Sequence, residues 1–171
     1  MADTTTDREV AALLRVLNQQ RQHVLTILDG LDEEALRRPV LPSGWHSLGI
    51  VQHLALDVER FWFRAVLAAD PALVELFTGG SAPDSWKPGA DLTAADIFAI
   101  YRRETDLADA VITANAPETP LGWWPQEMFG EPHVHDLRDL LLHVIAETAC
   151  HAGHLDAARE IIDGKQFLVL G

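Results

Sequence analysis

The chain has a single cysteine, Cys150, in 171 residues, which excludes an internal disulfide and any zinc cluster built on several thiolates. No apolar run approaches the roughly 18–20 residues that a membrane-spanning helix needs, and the polar start MADTTTDREV has no signal-peptide core. A cytoplasmic protein without a membrane partner is expected. Basic residues are scarce as well: 13 stand against 26 acidic ones, for a formal charge of −13, with no basic cluster as a local exception. Such a chain repels phosphate backbones, so nucleic-acid binding is disfavoured. An HExxH protease motif, a GxSxG elbow and a phosphate-cradling glycine loop are all missing, which withdraws support from those enzyme classes. Sustained two-residue alternation with β-branched enrichment is missing too, and with it the signal for strands.

What the chain does have is 48% hydrophobic residues, enough for one sizeable core, and one domain over residues 1–171 is expected. Four segments carry helical periodicity. The first runs from about Arg8 to Gly30 along Val10, Leu13, Leu14, Leu17, Val24, Leu25 and Leu28, and the glycine is a natural stop. Ser47 is placed to cap a second, which carries Ile50, Val51, Leu54, Val58, Phe61, Trp62 and Ala65 and ends near Asp70-Pro71. The stretch TGGSAPDSWKPGAD reads as loop. A third helix starts at Thr93 and runs to about Asn115, and a fourth runs from an Asp136 cap to Asp163, stopped by Gly164 and followed by the tail KQFLVLG. The expected fold is all-α, with a four-helix bundle as its architecture.

The fourth helix carries an anomaly. Its stripe runs Leu140, Val144, Glu147, His151, Leu155, Ala158, Ile162, in steps of three and four that return to one side of a helix. Such a side normally faces a core, where an unpartnered glutamate is costly. Residues four apart have Cβ atoms about 5–6 Å apart, so a carboxylate and an imidazole there can converge on one divalent cation. The alternative is a Glu147–His151 ion pair or hydrogen bond in a partly open groove.

A third ligand would decide between them, and His53 is the best placed, mid-helix in IVQHLALDVERFWF at the flank of the second helix's stripe. Two histidines and one carboxylate leave coordination positions open, as catalytic rather than closed structural sites do. Rival sets remain open. His143, Glu147 and His151 form an i, i+4, i+8 series, but about 12 Å of rise separates its ends, so His143 would pair with Glu147 alone. His151 and His154 are three apart, and His133 and His135 precede the helix. The run Phe61, Trp62, Phe63 is consecutive, so at least one ring is expected to face away from the core. Trp123-Trp124 can line a pocket mouth or a subunit interface. Cys150 reads as a buried inert thiol.

The pairing of GIVQHLALDVERFWF with ETACHAGHLDAAREIIDG on the final helix resembles the DinB-like superfamily of metalloenzymes over essentially the whole chain. More narrowly, it looks like the actinobacterial-type branch near the metal-binding domain of mycothiol-dependent maleylpyruvate isomerase. Much of the superfamily holds its metal with three histidines, the last two in a pattern like HxxxHRGQ. Here HAGH aligns with HRGQ, so His151 takes the last ligand position and Glu147 replaces a histidine. The isomerase-like branch has this His/Glu/His set. The resemblance therefore implies His53, Glu147 and His151 as metal ligands, and leaves out His143, His133 and His135. His154 stands where many relatives have glutamine and is a secondary candidate for orienting a ligand or touching substrate.

The resemblance further implies an up-down-down-up four-helix bundle, often dimeric, whose characterised members use the metal with low-molecular-weight thiols. The isomerase's C-terminal domain has no counterpart here, so isomerisation itself is not expected. The leading expectation is a divalent-metal-dependent S-transferase for a mycothiol-like thiol and a small-molecule electrophile, with zinc as the ion, or nickel or another transition metal. A metal-dependent hydrolase using the same ligands and a non-catalytic metal-binding dimeric bundle are the alternatives.

Overall fold

Capping chemistry places the two best-read helices where the sequence puts them. Thr93 and Asp96 form a reciprocal capping box at the start of one helix. The Asp136 carboxylate accepts from the Asp139 N–H at the start of the other, which ends on Gly164 in the left-handed region at φ 80°. The computed structural model describes residues 4–80 and 82–167. Residues 1–3, 81 and 168–171 lie outside the described residues, and with them part of the polar start, one position of the TGGSAPDSW loop and the end of the KQFLVLG tail.

In chain order the helices are α1 (Thr4–Leu28), α2 (Glu33–Arg37), α3 (Ser47–His53), a π-helical segment (Leu54–Leu67), α4 (Pro71–Thr78), α5 (Ala94–Thr113), α6 (Gln126–Phe129) and α7 (Leu137–Asp163). Among the described residues there is no strand, only an isolated antiparallel bridge between Pro120 and Asp136. The chain is all-α. No described helix is long and apolar enough to cross a membrane. The long α1 packs along α7, α5 packs along the π-helical segment, and α3 joins the two pairs.

The second predicted helix differs in two ways. Ser47 is its first helical residue and is buried, while His46 is the cap: the His46 backbone is extended and its Nδ1 accepts the Gly49 N–H at 3.2 Å. After His53 the turns widen to i→i+5 hydrogen bonding, as in the bond from the Ala68 N–H to the Phe63 carbonyl. In such turns residues four to five apart share a face, which brings His53, Asp57, Val58, Phe61 and Trp62 to one cleft. The short helices α2, α4 and α6 fall in stretches read as connections. For α4 the signal was local, since Asp70 caps it and Pro71 occupies its first turn.

The core holds Leu17, Val24 and Ile27 of α1 against Leu140, Leu141, Val144 and Leu155 of α7. Phe61, Trp62 and Phe63 are all buried, contrary to the expectation that one would face outward. The widened helix and the covering rings of Phe77 (α4) and Phe129 (α6) account for this, with Phe61–Phe77 and Trp62–Phe129 centroids 4.7 and 5.5 Å apart. Cys150 is exposed rather than buried, because it lies on the outer side of α7.

Three arginine–carboxylate or arginine–carbonyl clusters tie the helices together. Arg21 of α1, buried, donates from Nε to Glu59 Oε1 at 2.7 Å and from Nη1 to Asn18 and Asp109. Glu104 of α5, 1% exposed, accepts from Arg60 and Arg64. Arg159 of α7 donates to the Ile27 and Asp29 carbonyls at 2.6 and 2.9 Å, closing the C-terminal end of α1, while Asp163 faces its Nε. Each charge is paired, as its low exposure demands.

The His46 cap yields a pH prediction. Burial, aided by the Arg37 charge, holds its pKa below the ordinary histidine value. The unfolded chain therefore takes up a proton first as pH falls through about 6.5, and the cap's contribution, present above that pH, is lost towards the lower folded value. His46→Ala is expected to cost about 1 kcal/mol at pH 7.5. His46→Asn should keep the cap and show a shallower loss of stability between pH 7.5 and 5.5 in urea titrations. Identical pH slopes for wild type and His46→Asn would remove the cap from this account.

Candidate metal centre

Glu147 and His151 sit one turn apart on α7, and the Glu147 Oε1 to His151 Nε2 distance is 3.2 Å. His53, at the last turn of α3, reaches across from the neighbouring helix, its Nε2 3.8 Å from the same Glu147 oxygen. One ligand atom from each of the three lies within 4.8 Å of the others, and among the described residues no other trio of ligating side chains converges in this way. Two donors each about 2.1 Å from a tetrahedral ion stand about 3.4 Å apart, so the two measured separations bracket that geometry.

His53 Nε2 is enclosed and has no hydrogen-bond partner among the described residues, although it points into the group. A buried nitrogen left this way is costly unless something else binds it. Burial lowers the His151 pKa, His53 and His154 lower it further, and Glu147 opposes them. The result favours a neutral imidazole near pH 7, the form that ligates. The donor set, two imidazoles and a carboxylate, suits zinc and related divalent ions.

Around the trio lie groups that the sequence did not single out. The other nitrogen of His53, Nδ1, is 2.9 Å from Asp57 Oδ2, and the Ser85 hydroxyl donates to that same carboxylate oxygen. A carboxylate behind a ligating histidine sets its tautomer and ring orientation. Trp86 stacks on the other side of the ring, 4.1 Å between centroids at 20°. The loop bearing Ser85 and Trp86 is held down by Gln52, whose amide donates to the Asp84 and Ser85 carbonyls. It also sits so close to Gly49 that a Cβ there would lie 2.5 Å from the Trp86 carbonyl. His53 and Asp57 are four apart and could have been paired from the sequence; Ser85 and Trp86 come from a loop with no periodic signal.

The other histidines fall outside the trio. His154 is exposed, its ring 5.5 Å from that of His151 and 6.0 Å from that of Trp45. His135 is exposed, with its backbone N–H donated to Asp139. His143 packs edge-on against Trp62 at 4.7 Å instead of pairing with Glu147 by a hydrogen bond.

His53 and Glu147 open onto a cleft of about 490 Å³ whose walls include Val58, Phe61, Trp62, Phe77 and Phe129. The volume falls within the range of small-molecule sites, which are mostly apolar with a few convergent polar groups. The candidate centre is thus reachable by a ligand from this cleft.

Comparison with known families matches residues 12–164 to the family model described as Mycothiol-S-transferase. No curated protein and no solved structure matches the chain.

Proposed function

The chain belongs to the mycothiol-S-transferase family, and from that premise we propose that it is a divalent-metal-dependent enzyme joining a low-molecular-weight thiol of the mycothiol type to a small electrophile. The observation that carries this reading is the convergence of His53, Glu147 and His151 at the wall of an apolar cleft, with His53 Nε2 otherwise unpartnered. Those three side chains would hold the ion, zinc first, with nickel or another transition metal as alternatives. Bound there, the ion supplies the positive charge that lets a thiol give up its proton near neutral pH.

The chain's own residues then have defined tasks. Asp57 fixes the His53 ring so that Nε2 faces Glu147, and Ser85 holds Asp57. Trp86 shields the opposite face of that ring. The apolar walls exclude water from the thiolate, which favours attack on carbon over capture by solvent. The sulfur forms a bond to an electrophilic carbon, whose leaving group departs with the electron pair. On the same premise residues 1–171 form one cytoplasmic domain with its long helices in up-down-down-up order, assembled as a homodimer.

Elemental analysis of untagged protein is expected to find about one divalent ion per chain, given a single three-donor centre. With mycothiol and an activated aryl halide, halide release should be metal-dependent, stop on chelation and return on adding zinc. A metal-loaded protein with no metal-dependent turnover across a panel of thiols and electrophiles would reject this proposal for a non-catalytic metal-binding bundle. Ester hydrolysis in place of thiol transfer would reject it for a hydrolase.

A further inference from the structure

The cleft contains histidines that the metal centre does not use. His143 lies on α7 one turn before Glu147, half-buried, and lines the cleft with His133 from the preceding loop. Their ring centroids are 6.5 Å apart. Each ring is held by an aromatic edge contact: His143 against Trp62 at 68°, and His133 against Trp124 at 89°. Neither ring nitrogen of His143 is hydrogen-bonded among the described residues. Its ring is therefore fixed in place while its donor stays free for a ligand.

The walls beside it are apolar. Phe129 stacks on Trp62, at 21° with centroids 5.5 Å apart, and Phe61 and Phe77 line the cleft with them. Asp57 and Glu147 are the carboxylates on the lining, and the chain as a whole carries −13. The net charge of the chain disfavours an anionic ligand. A neutral ligand that is mostly aromatic and has one acceptor satisfies both the walls and the histidine.

We infer that this cleft takes a neutral electrophile whose aromatic body lies among the side chains of Phe61, Trp62, Phe77 and Phe129 and whose acceptor group, a carbonyl or nitro oxygen, receives an N–H from His143. That the ligand is an electrophile rests on the transferase reading; the shape and polarity of the site do not. His143 is then a specificity-determining contact: an aromatic ligand with a correctly placed oxygen is preferred over its hydrocarbon equivalent, because the latter leaves the His143 donor unpaired.

Binding can be measured on the full chain without thiol, by calorimetry, with two neutral probes of similar shape, 2-acetylnaphthalene and 2-isopropylnaphthalene. The ketone is expected to bind about two- to tenfold tighter, the range that one neutral hydrogen bond supplies. His143→Phe, which keeps an edge contact with Trp62 but has no donor, should bring the two affinities together; His143→Leu serves if the larger ring is not accommodated. His143→Gln, which restores a donor, should keep the ketone preference. Equal affinities in the wild type, a preference that survives His143→Phe, or failure to bind either probe would each overturn the inference. Because no turnover is measured, a protein that binds the probes as stated yet transfers no thiol would sink the proposed function and leave this site standing.

Discussion

His151→Ala is expected to abolish stoichiometric metal binding and, with it, thiol-transfer activity. In the proposed site the His151 imidazole would be one of three donors, and the other two, His53 Nε2 and the Glu147 carboxylate, come from different helices. Losing a direct ligand should exceed the roughly 10–100-fold loss of metal affinity typical when only a group behind a ligand is removed. Asp57→Asn provides that comparison, since Asp57 touches His53 Nδ1 and not Nε2. Metal content after dialysis against a competing chelator, read beside circular dichroism to confirm folding, orders the two variants. Full metal retention in folded His151→Ala would remove the site assignment.

The largest effect on stability is expected from Arg21→Met. Glu59 is 1% exposed and receives two N–H groups from Arg21. Burial works against the Arg21 charge, but the Glu59 and Asp109 carboxylates outweigh it and hold the guanidinium above its usual range. Without the cation, the glutamate is left charged and enclosed, which typically costs about 3–5 kcal/mol. For a chain of this size that corresponds to a fall in Tm of roughly 6–20 °C.

Two accompanying results separate this cause from lost packing. Arg21→Met combined with Glu59→Leu should recover most of the loss, because two apolar side chains need no partner. The single variant's deficit should also shrink as pH falls. Its unpaired Glu59 has a folded pKa above the unfolded value of about 4.3, so the folded state binds the extra proton and gains stability towards low pH. Equal deficits at pH 7.5 and pH 5, with no recovery in the double variant, would assign the loss to packing alone.

How much of the protein could be read from its sequence follows from the range of the interactions involved. The α5 and α7 starts were legible because Thr93 and Asp136 act on N–H groups three residues away. Glu147 and His151 were legible for the same reason, being polar on an apolar stripe and one turn apart. His53 was proposed from the flank of its own helix, and the fold brings it to Glu147. The serine cap at Ser47 was a misplaced assignment by one residue, since His46 supplies the same kind of acceptor without being a usual cap residue.

The groups around the centre came from interactions that local pattern does not encode. Ser85 and Trp86 reach His53 and Asp57 only because the loop packs on Gly49 and Gln52, more than thirty positions earlier. The Arg21–Glu59 pair spans two helices, and on either helix alone each residue looks like an ordinary exposed charge. The same holds for Phe61, Trp62 and Phe63, all of which are covered once α4 and α6 bring Phe77 and Phe129 over them.

By itself, then, the amino-acid sequence determined the all-α class, the presence of α1, the extents of α5 and α7, and the two α7 side chains that do not belong on a core stripe. Periodicity and capping act within one or two helical turns, so they survive in the linear order. Tertiary structure alone decided that His53 meets those two side chains, that Asp57, Ser85 and Trp86 orient it, and that an aromatic cleft opens beside it with His143 on its wall. Those depend on how helices and loops far apart in the chain pack, where burial and charge pairing select the partner and sequence separation carries no information about it.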